Sequence, residues 1–140
     1  MTSPNLLEVE DIYKEYPLKK QSFFKKPEVV QAVRGISFKI KKGEVFACVG
    51  ESGCGKSTTA KLLVNLEQPT AGMIKFHGRS LSGMKGQELK RLRREVQMVL
   101  QDPFSSLPSK SKIRDILEEP LLIHGVADKA EREQKVKKVA

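Results

Sequence analysis

The sequence predicts an α/β fold in which a phosphate-binding loop joins a core strand to a helix, with antiparallel strands at one side. An apolar run at residues 45–49 leads directly into the glycine-rich segment 50–58, and apolar residues at helical spacing follow it. Earlier in the chain, residues 6–12 and 29–40 partly alternate apolar and polar side chains, as half-buried strands do. We therefore expect one α/β domain built around the glycine-rich segment.

The composition is that of a soluble globular chain with a basic balance. With 140 residues, 39% hydrophobic and 31% charged, the chain has the size of one domain. Its net charge of +9 suits nucleotide phosphates, nucleic acid or an anionic membrane surface, and does not choose among them. No run approaches the roughly 18 apolar residues that span a bilayer, and no signal peptide is evident. Cys48 and Cys54 are interpreted as reduced cytosolic thiols.

Two strand regions and an intervening loop precede the glycine-rich segment. Tyr13 and Tyr16 follow the first strand region. Residues 17–28 are bracketed by prolines and rich in lysine, which predicts an insertion loop. We interpret this loop as solvated rather than as a polyanion contact, because its four lysines are few for such a footprint. Residues 41–44 predict a turn.

Further helices and strands are expected after the glycine-rich segment. A helix follows Lys56 and ends before Pro69, since the residue before a proline disfavours helical backbone. A short strand is expected at residues 73–77, a helix with a basic outer face at 84–95, and a buried strand at 96–100.

The last part of the chain predicts two helical segments. Apolar residues from Ile113 to Leu121 have helical spacing, but Pro120 is expected to break or kink that helix. Residues 128–140 form another basic helical pattern.

The glycine-rich segment matches the phosphate-binding pattern G-x-x-x-x-G-K-[ST] through Gly50, Gly55, Lys56 and Ser57. Glycines let successive backbone N–H groups point at phosphate oxygens, and the helix that follows adds unpaired donors and its positive dipole end. Lys56 supplies a cation for the β- and γ-phosphates, and the Ser57 hydroxyl can ligate Mg²⁺. The predicted nucleotide-binding residues of the segment are Gly50, Glu51, Ser52, Gly53, Cys54, Gly55, Lys56, Ser57 and Thr58.

A nucleotide hydrolase of this type also needs a carboxylate at the end of another core strand to hold Mg²⁺. No run of four aliphatic residues followed by aspartate occurs after Gln101. We therefore expect the fold to be truncated at its C-terminal side.

With these residues in view, the chain resembles the ATP-binding subunits of ABC transporters, most closely those of oligopeptide and dipeptide importers. Residues 50–58 and 96–107 carry the resemblance, and residues 30–38 and 119–122 support it. It covers essentially the whole chain but only the N-terminal half of a family member. It implies a P-loop NTPase core with an antiparallel β subdomain, the P-loop at 50–58 and a Q-loop at 101–108.

The resemblance also implies roles for two residues outside the P-loop. Tyr16 lies where the family's A-loop aromatic stacks on adenine; Tyr13 is the competing candidate, and a packed strand-end tyrosine is the structural alternative. Gln101 matches the Q-loop glutamine, which reaches Mg²⁺ and the attacking water and links to the membrane subunit. A surface glutamine is its structural alternative. Lys56 and Gln101 are thus the predicted catalytic residues, and Ser57 and Gln101 the predicted Mg²⁺ ligands.

The chain departs from the family pattern in places. Family members usually read Ser-Leu-Asn-Pro-Arg after the Q-loop, whereas residues 106–110 read Ser-Leu-Pro-Ser-Lys. Residues 81–87 superficially match the family signature Leu-Ser-Gly-Gly-Gln, but we reject the match because they precede Gln101 and carry two extra residues. His77 and His124 match no catalytic position.

The resemblance implies an ATP-binding subunit, or a fragment of one, that energises peptide import through MgATP binding and hydrolysis. Its partners would be membrane-spanning subunits and a second ATP-binding subunit, at the cytoplasmic face of the membrane and without nucleic acid. The family hydrolyses ATP, but this chain alone is expected to bind ATP without efficient turnover. The alternatives are another P-loop enzyme, such as a nucleotide kinase or GTPase, and a basic non-enzymatic module for nucleic acid or membrane surfaces.

Overall fold

The computed structural model describes residues 5–18, 28–102, 107–108 and 110–139 of the chain. They fall into two compact units, Met1–Gln97 and Met98–Ala140, and each is described by itself. Most of the predicted insertion loop 17–28 and half of the predicted Q-loop 101–108, residues 103–106, lie outside the described residues.

The first unit contains a four-stranded antiparallel sheet in the order β2-β1-β3-β4. Its strands are β1 (Asn5–Pro17), β2 (Val29–Lys41), β3 (Ala71–Phe76) and β4 (Arg79–Ser80). The predicted antiparallel side of the fold is therefore confirmed, and β1 is longer than the alternation of residues 6–12 indicated.

Two helices cover the sheet of the first unit. They are α1 (Lys56–Leu63) and α2 (Gly86–Glu95), and their buried leucines, Leu62 and Leu92, join the strand residues in one core. Each fully buried aliphatic side chain contributes roughly 1.5–3 kcal/mol by leaving water. The core consists of Leu7, Val9, Ile12, Val33, Leu62, Ile74, Leu81 and Leu92.

Strands β1 and β2 form a hairpin that closes at the start of the predicted insertion loop. Pro17 lies opposite Val29, and the Leu18 N–H donates a hydrogen bond of 2.8 Å to the Glu28 carbonyl. The loop thus leaves and rejoins the sheet at adjacent points.

The strands predicted at residues 45–49 and 96–100 are not found, and those predictions are wrong. Val45 is 96% exposed, Val49 88% and Val99 93%, and both segments have irregular backbone. A strand is stable only when a neighbouring strand satisfies its N–H and C=O groups. None of the four described strands pairs with either segment. Both segments are apolar, as the sequence shows. An apolar strand nevertheless needs a neighbouring strand or helix to cover it, and the described residues do not provide one.

The second unit contains the helices α3 (Ile113–Ile123) and α4 (Lys129–Val139). A short ion pair joins them, with Arg132 Nε 2.7 Å from a carboxylate oxygen of Glu118. This hydrogen bond is the main reason that the pKa of Glu118 lies below its usual value. The helix predicted at residues 128–140 is confirmed in its described part.

The sequence predicts that Pro120 breaks or kinks its helix, and the break is wrong, because α3 continues past this residue to Ile123. Proline lacks an N–H group, so it removes one intrahelical hydrogen bond and crowds the preceding turn. Here the proline lies near the C-terminal end, and its own carbonyl still accepts a hydrogen bond of 3.0 Å from the His124 N–H. The helix therefore loses one bond of its ladder without ending.

Candidate phosphate-binding site

The glycine-rich segment curls immediately before α1, which begins at Lys56. Gly53 and Gly55 have positive φ angles of 81° and 94°, a backbone conformation that residues with a Cβ atom rarely adopt. The Cys54 N–H donates to the Glu51 carbonyl at 3.3 Å, which forms a turn within the segment. The loop therefore has the tight curvature that the sequence pattern predicted.

The loop leads into a helix start that presents N–H donors. Gly55 caps α1, and the Thr59 N–H donates to its carbonyl at 2.8 Å. The first N–H groups of any α-helix, here those of Lys56, Ser57 and Thr58, have no intrahelical acceptor. No acidic side chain lies in this first turn, so nothing there repels an anion. The arrangement fits a phosphate group.

Lys56 lies across the loop and is held by it. Its Nζ atom donates to the carbonyl oxygens of Gly50 at 2.7 Å and Glu51 at 2.6 Å. The Cys54 Sγ atom is 3.5 Å from the same ammonium. These acceptors are neutral, so an anion that entered the loop would compete for the ammonium with a stronger, charge-assisted bond.

A cleft of about 470 Å³ lies beside the loop, between it and β2. The loop contributes Gly53, Cys54 and Lys56 to its wall, and the strand and flanking segments contribute Gln31, Ala32, Val33, Arg34, Ile36, Cys48, Val49 and Thr59. The segment before the loop is attached to the strand through stacked rings of Phe46 and Phe38, whose centroids are 4.7 Å apart.

Tyr16 lies at the end of β1, beside the start of α1. Its hydroxyl donates a hydrogen bond to Glu67, and the side chain of Thr58, the last residue of the glycine-rich segment, lies near enough to affect the pKa of Tyr16. The bond to Glu67 and then burial raise the pKa of Tyr16 above its usual value, while the Thr58 hydroxyl acts in the opposite direction. Tyr16 thus lies near the end of the phosphate-binding segment.

Tyr13, the competing aromatic residue, has a different setting in β1. It lies opposite Arg34 in the sheet and is 38% exposed. Its ring packs against the backbone of Gly35, where a Cβ atom would lie 2.6 Å from the tyrosine hydroxyl.

Gln101 belongs to the second unit and is exposed. Ser57, the other predicted Mg²⁺ ligand, is exposed in the first turn of α1 in the first unit. Within the described parts of the chain, no group of three or more histidine, cysteine, aspartate or glutamate side chains is arranged to hold a metal ion. Nor is any helix in those parts long and apolar enough to cross a membrane.

Sequence reasoning missed Glu67 as a neighbour of the candidate site. It follows α1 and accepts the hydrogen bond of Tyr16 from across 51 residues of sequence. No local pattern marks this pairing, because it results from the segment after α1 folding back along the end of β1.

The model of the ABC transporter family matches residues 33–140. The chain is 41% identical over 143 residues to the oligopeptide transport ATP-binding protein AppF of Bacillus subtilis, covering 99% of this chain and 44% of that protein. It is 42% identical over 130 residues to the dipeptide transport ATP-binding protein DppF of Escherichia coli, covering 93% and 39%. The chain therefore spans about two fifths of the length of these curated relatives.

Solved structures share the fold. A dimeric ATP-binding cassette in a post-hydrolysis state, bound to ADP and Pi, matches with a TM-score of 0.73 at 22% identity, over 94% of this chain and 54% of that chain. A dimeric bacterial ABC transporter cassette matches with a TM-score of 0.70 at 23% identity, over 91% and 53%. The predicted α/β fold with its antiparallel subdomain is confirmed by these neighbours.

Proposed function

The chain belongs to the ABC transporter family, and from this premise we propose that it is the ATP-binding part of a subunit that energises peptide import. Relatives that cover nearly all of it are named as oligopeptide and dipeptide transport ATP-binding proteins. The observation that carries the proposal is the glycine-rich loop that opens α1 with Lys56 held across it.

In this proposal the triphosphate of ATP occupies the loop. The ammonium of Lys56 exchanges the carbonyl oxygens of Gly50 and Glu51 for β- and γ-phosphate oxygens, since charged acceptors bind it more strongly. The backbone N–H groups of residues 53–58 surround the phosphates, and the positive end of the α1 dipole adds to their stabilisation.

Three residues are proposed for adenine and Mg²⁺. Tyr16 stacks on adenine, supported by its position near Thr58 at the end of the loop. Ser57 and Gln101 are the residues that would hold Mg²⁺. When bound, Mg²⁺ neutralises phosphate charge, and Gln101 orients the attacking water.

A complete transporter subunit would do more than bind ATP. We propose that MgATP is bound between two such subunits at the cytoplasmic face of the membrane, and that hydrolysis there drives membrane-spanning subunits. The 140 residues alone are proposed to bind ATP with little turnover, because no Mg²⁺-binding carboxylate follows Gln101 at the end of a core strand.

A titration of the full chain with MgATP tests the binding proposal. Lys56→Ala should weaken binding at least roughly tenfold, because it removes charge-assisted hydrogen bonds to phosphate. Lys39→Ala is the matched control: it removes the same charge from an exposed side chain whose ion pair with Glu8 spans 3.9 Å. If both variants lose the same MgATP affinity, and binding disappears in moderate salt, the chain instead has a basic surface that binds polyanions nonspecifically.

Phosphate release by the purified chain tests the turnover proposal. The expected result is a rate near the uncatalysed background in the wild-type chain and in Lys56→Ala. Steady turnover that Lys56→Ala abolishes would contradict it.

A further inference from the structure

We propose that Glu67 is a positioning residue that holds the Tyr16 ring in place for the adenine of the bound nucleotide. The inference rests on the proposed function, because it requires ATP to bind at residues 50–58. Glu67 lies outside every motif of the sequence, yet it accepts the hydrogen bond of the Tyr16 hydroxyl.

The contact anchors the outer end of the tyrosine ring. Strand pairing with Val30 holds the backbone of Tyr16, and the carboxylate of Glu67 holds its hydroxyl. A hydrogen bond to a carboxylate is stronger than one between neutral groups. The Glu67 side chain is 25% exposed, so water competes for it only in part. The ring is therefore fixed at both ends.

Two lysines hold the carboxylate itself. Lys14 Nζ lies 3.5 Å from Glu67 Oε2, and Lys61 Nζ lies 3.7 Å from Oε1. The Lys14 ammonium is also 5.0 Å from the centroid of the Tyr16 ring. It covers one face of the ring, so the proposal places adenine on the opposite face.

The carboxylate is joined to the helix that the phosphate loop opens. The N–H groups of Leu66 and Glu67 donate to the Lys61 carbonyl of α1 at 2.9 and 3.3 Å. Lys14 Nζ donates to the Gln68 carbonyl at 2.8 Å, which ties the same segment to β1. Glu67 therefore sets the distance between the tyrosine ring and the phosphate loop before any nucleotide arrives.

This arrangement predicts that removing the Glu67 carboxylate weakens the binding only of ligands that carry a base. Without Glu67, the ring keeps its backbone anchor but loses its outer one, so adenine meets a ring that is no longer preorganised. The phosphate contacts of Lys56 and of the loop N–H groups do not involve Glu67. A triphosphate without adenine should therefore bind as before.

The experiment compares MgATP with magnesium tripolyphosphate, each titrated calorimetrically into the full chain. Glu67→Ala should weaken MgATP binding roughly tenfold, the effect of losing a charge-assisted hydrogen bond, and change tripolyphosphate binding less than about twofold. Glu67→Gln keeps an acceptor oxygen and should lose less. Tyr16→Phe removes the hydroxyl, and in that background Glu67→Ala should cause no further loss.

Glu10→Ala is the matched control, because Glu10 lies on β1, the strand that carries Tyr16. It also removes a glutamate from an ion pair, that with Lys75 at 2.9 Å, but it has no contact with Tyr16 among those the structure records. Its affinity for both ligands should equal that of the wild-type chain.

The outcomes separate this inference from the function on which it rests. If the wild-type chain binds neither ligand, the proposed function fails and the role of Glu67 fails with it. If the wild-type chain binds both, an unchanged MgATP affinity in Glu67→Ala overturns the inference alone. Equal losses of affinity for the two ligands in Glu67→Ala would also overturn it. The same holds if the effects of Glu67→Ala and Tyr16→Phe on MgATP affinity are independent.

Discussion

The backbone of Gly55 lies so close to Ala32 that a Cβ atom at position 55 would be 2.2 Å from the Ala32 carbonyl oxygen. The phosphate loop is thus seated directly on β2, and only glycine permits this approach together with its φ angle of 94°. The glycine that the sequence pattern assigns to phosphate binding also has a packing role.

Gly55→Ala should destabilise the chain by about 3 kcal/mol or more, because backbone strain and a clash with backbone add together. Gly53→Ala is the control: its φ is 81°, but no atom lies within 4 Å of a Cβ there, so only the strain of about 1–2 kcal/mol remains. Urea unfolding followed by circular dichroism measures both. Equal destabilisation by the two substitutions would contradict the close seating of the loop on β2.

The same substitution at two valines distinguishes the buried sheet from the exposed segment before the loop. Val33→Ala, at a side chain that is 5% exposed, should cost about 1.5–3 kcal/mol of unfolding free energy. Val49→Ala, at 88% exposure, should change it by less than about 0.5 kcal/mol. A large cost at Val49 would mean that residues 45–49 are covered in solution.

The pair Tyr16 and Glu67 predicts how stability depends on pH. The pKa of Glu67 is lowered from its usual 4.5, first by the hydrogen bond from Tyr16, so its contribution is present above pH 4.5 and lost as pH falls through the lowered value. The pKa of Tyr16 is raised from 10.0, so its contribution is present below pH 10.0 and lost as pH rises through the raised value. In Tyr16→Phe, the loss of unfolding free energy that Tyr16 causes at alkaline pH should vanish, and the loss that Glu67 causes at acid pH should become smaller. Identical pH profiles of unfolding free energy in the two chains would refute the coupling.

Alkylation of Cys54 should be sensitive to nucleotide. Its Sγ atom is 3.5 Å from Lys56 Nζ, and a Cβ at Gly50 would lie 2.6 Å from it, so the thiol sits within the loop. N-ethylmaleimide should therefore block MgATP binding, and MgATP should slow modification of Cys54 more than that of Cys48. Mass spectrometry measures both thiols in one sample, and a modification rate at Cys54 that ignores MgATP would count against the placement.

Much of the first unit could be predicted because its signals are local. The glycine spacing, the lysine and the helical repeat after it all lie between residues 50 and 66, and the alternation that marks β1 and β2 is also read within single segments. The strand predictions at residues 45–49 and 96–100 are wrong for a related reason. Apolar composition predicts that a segment needs cover, but not that a neighbouring strand is present to supply it.

The phosphate loop, the helix that follows it and the family resemblance can all be predicted from the sequence, because each depends on residue types at short, regular spacing. Three contacts are visible only in the folded chain: Gly55 rests on Ala32, loop carbonyls hold Lys56, and Glu67 accepts the hydrogen bond of Tyr16. The contacts of Gly55 and Tyr16 join residues far apart in the chain, and that of Lys56 depends on how tightly the loop curls. Local spacing encodes none of the three contacts: those of Gly55 and Tyr16 follow from how the sheet packs with α1 and the segment after it, and that of Lys56 follows from the curl of the loop.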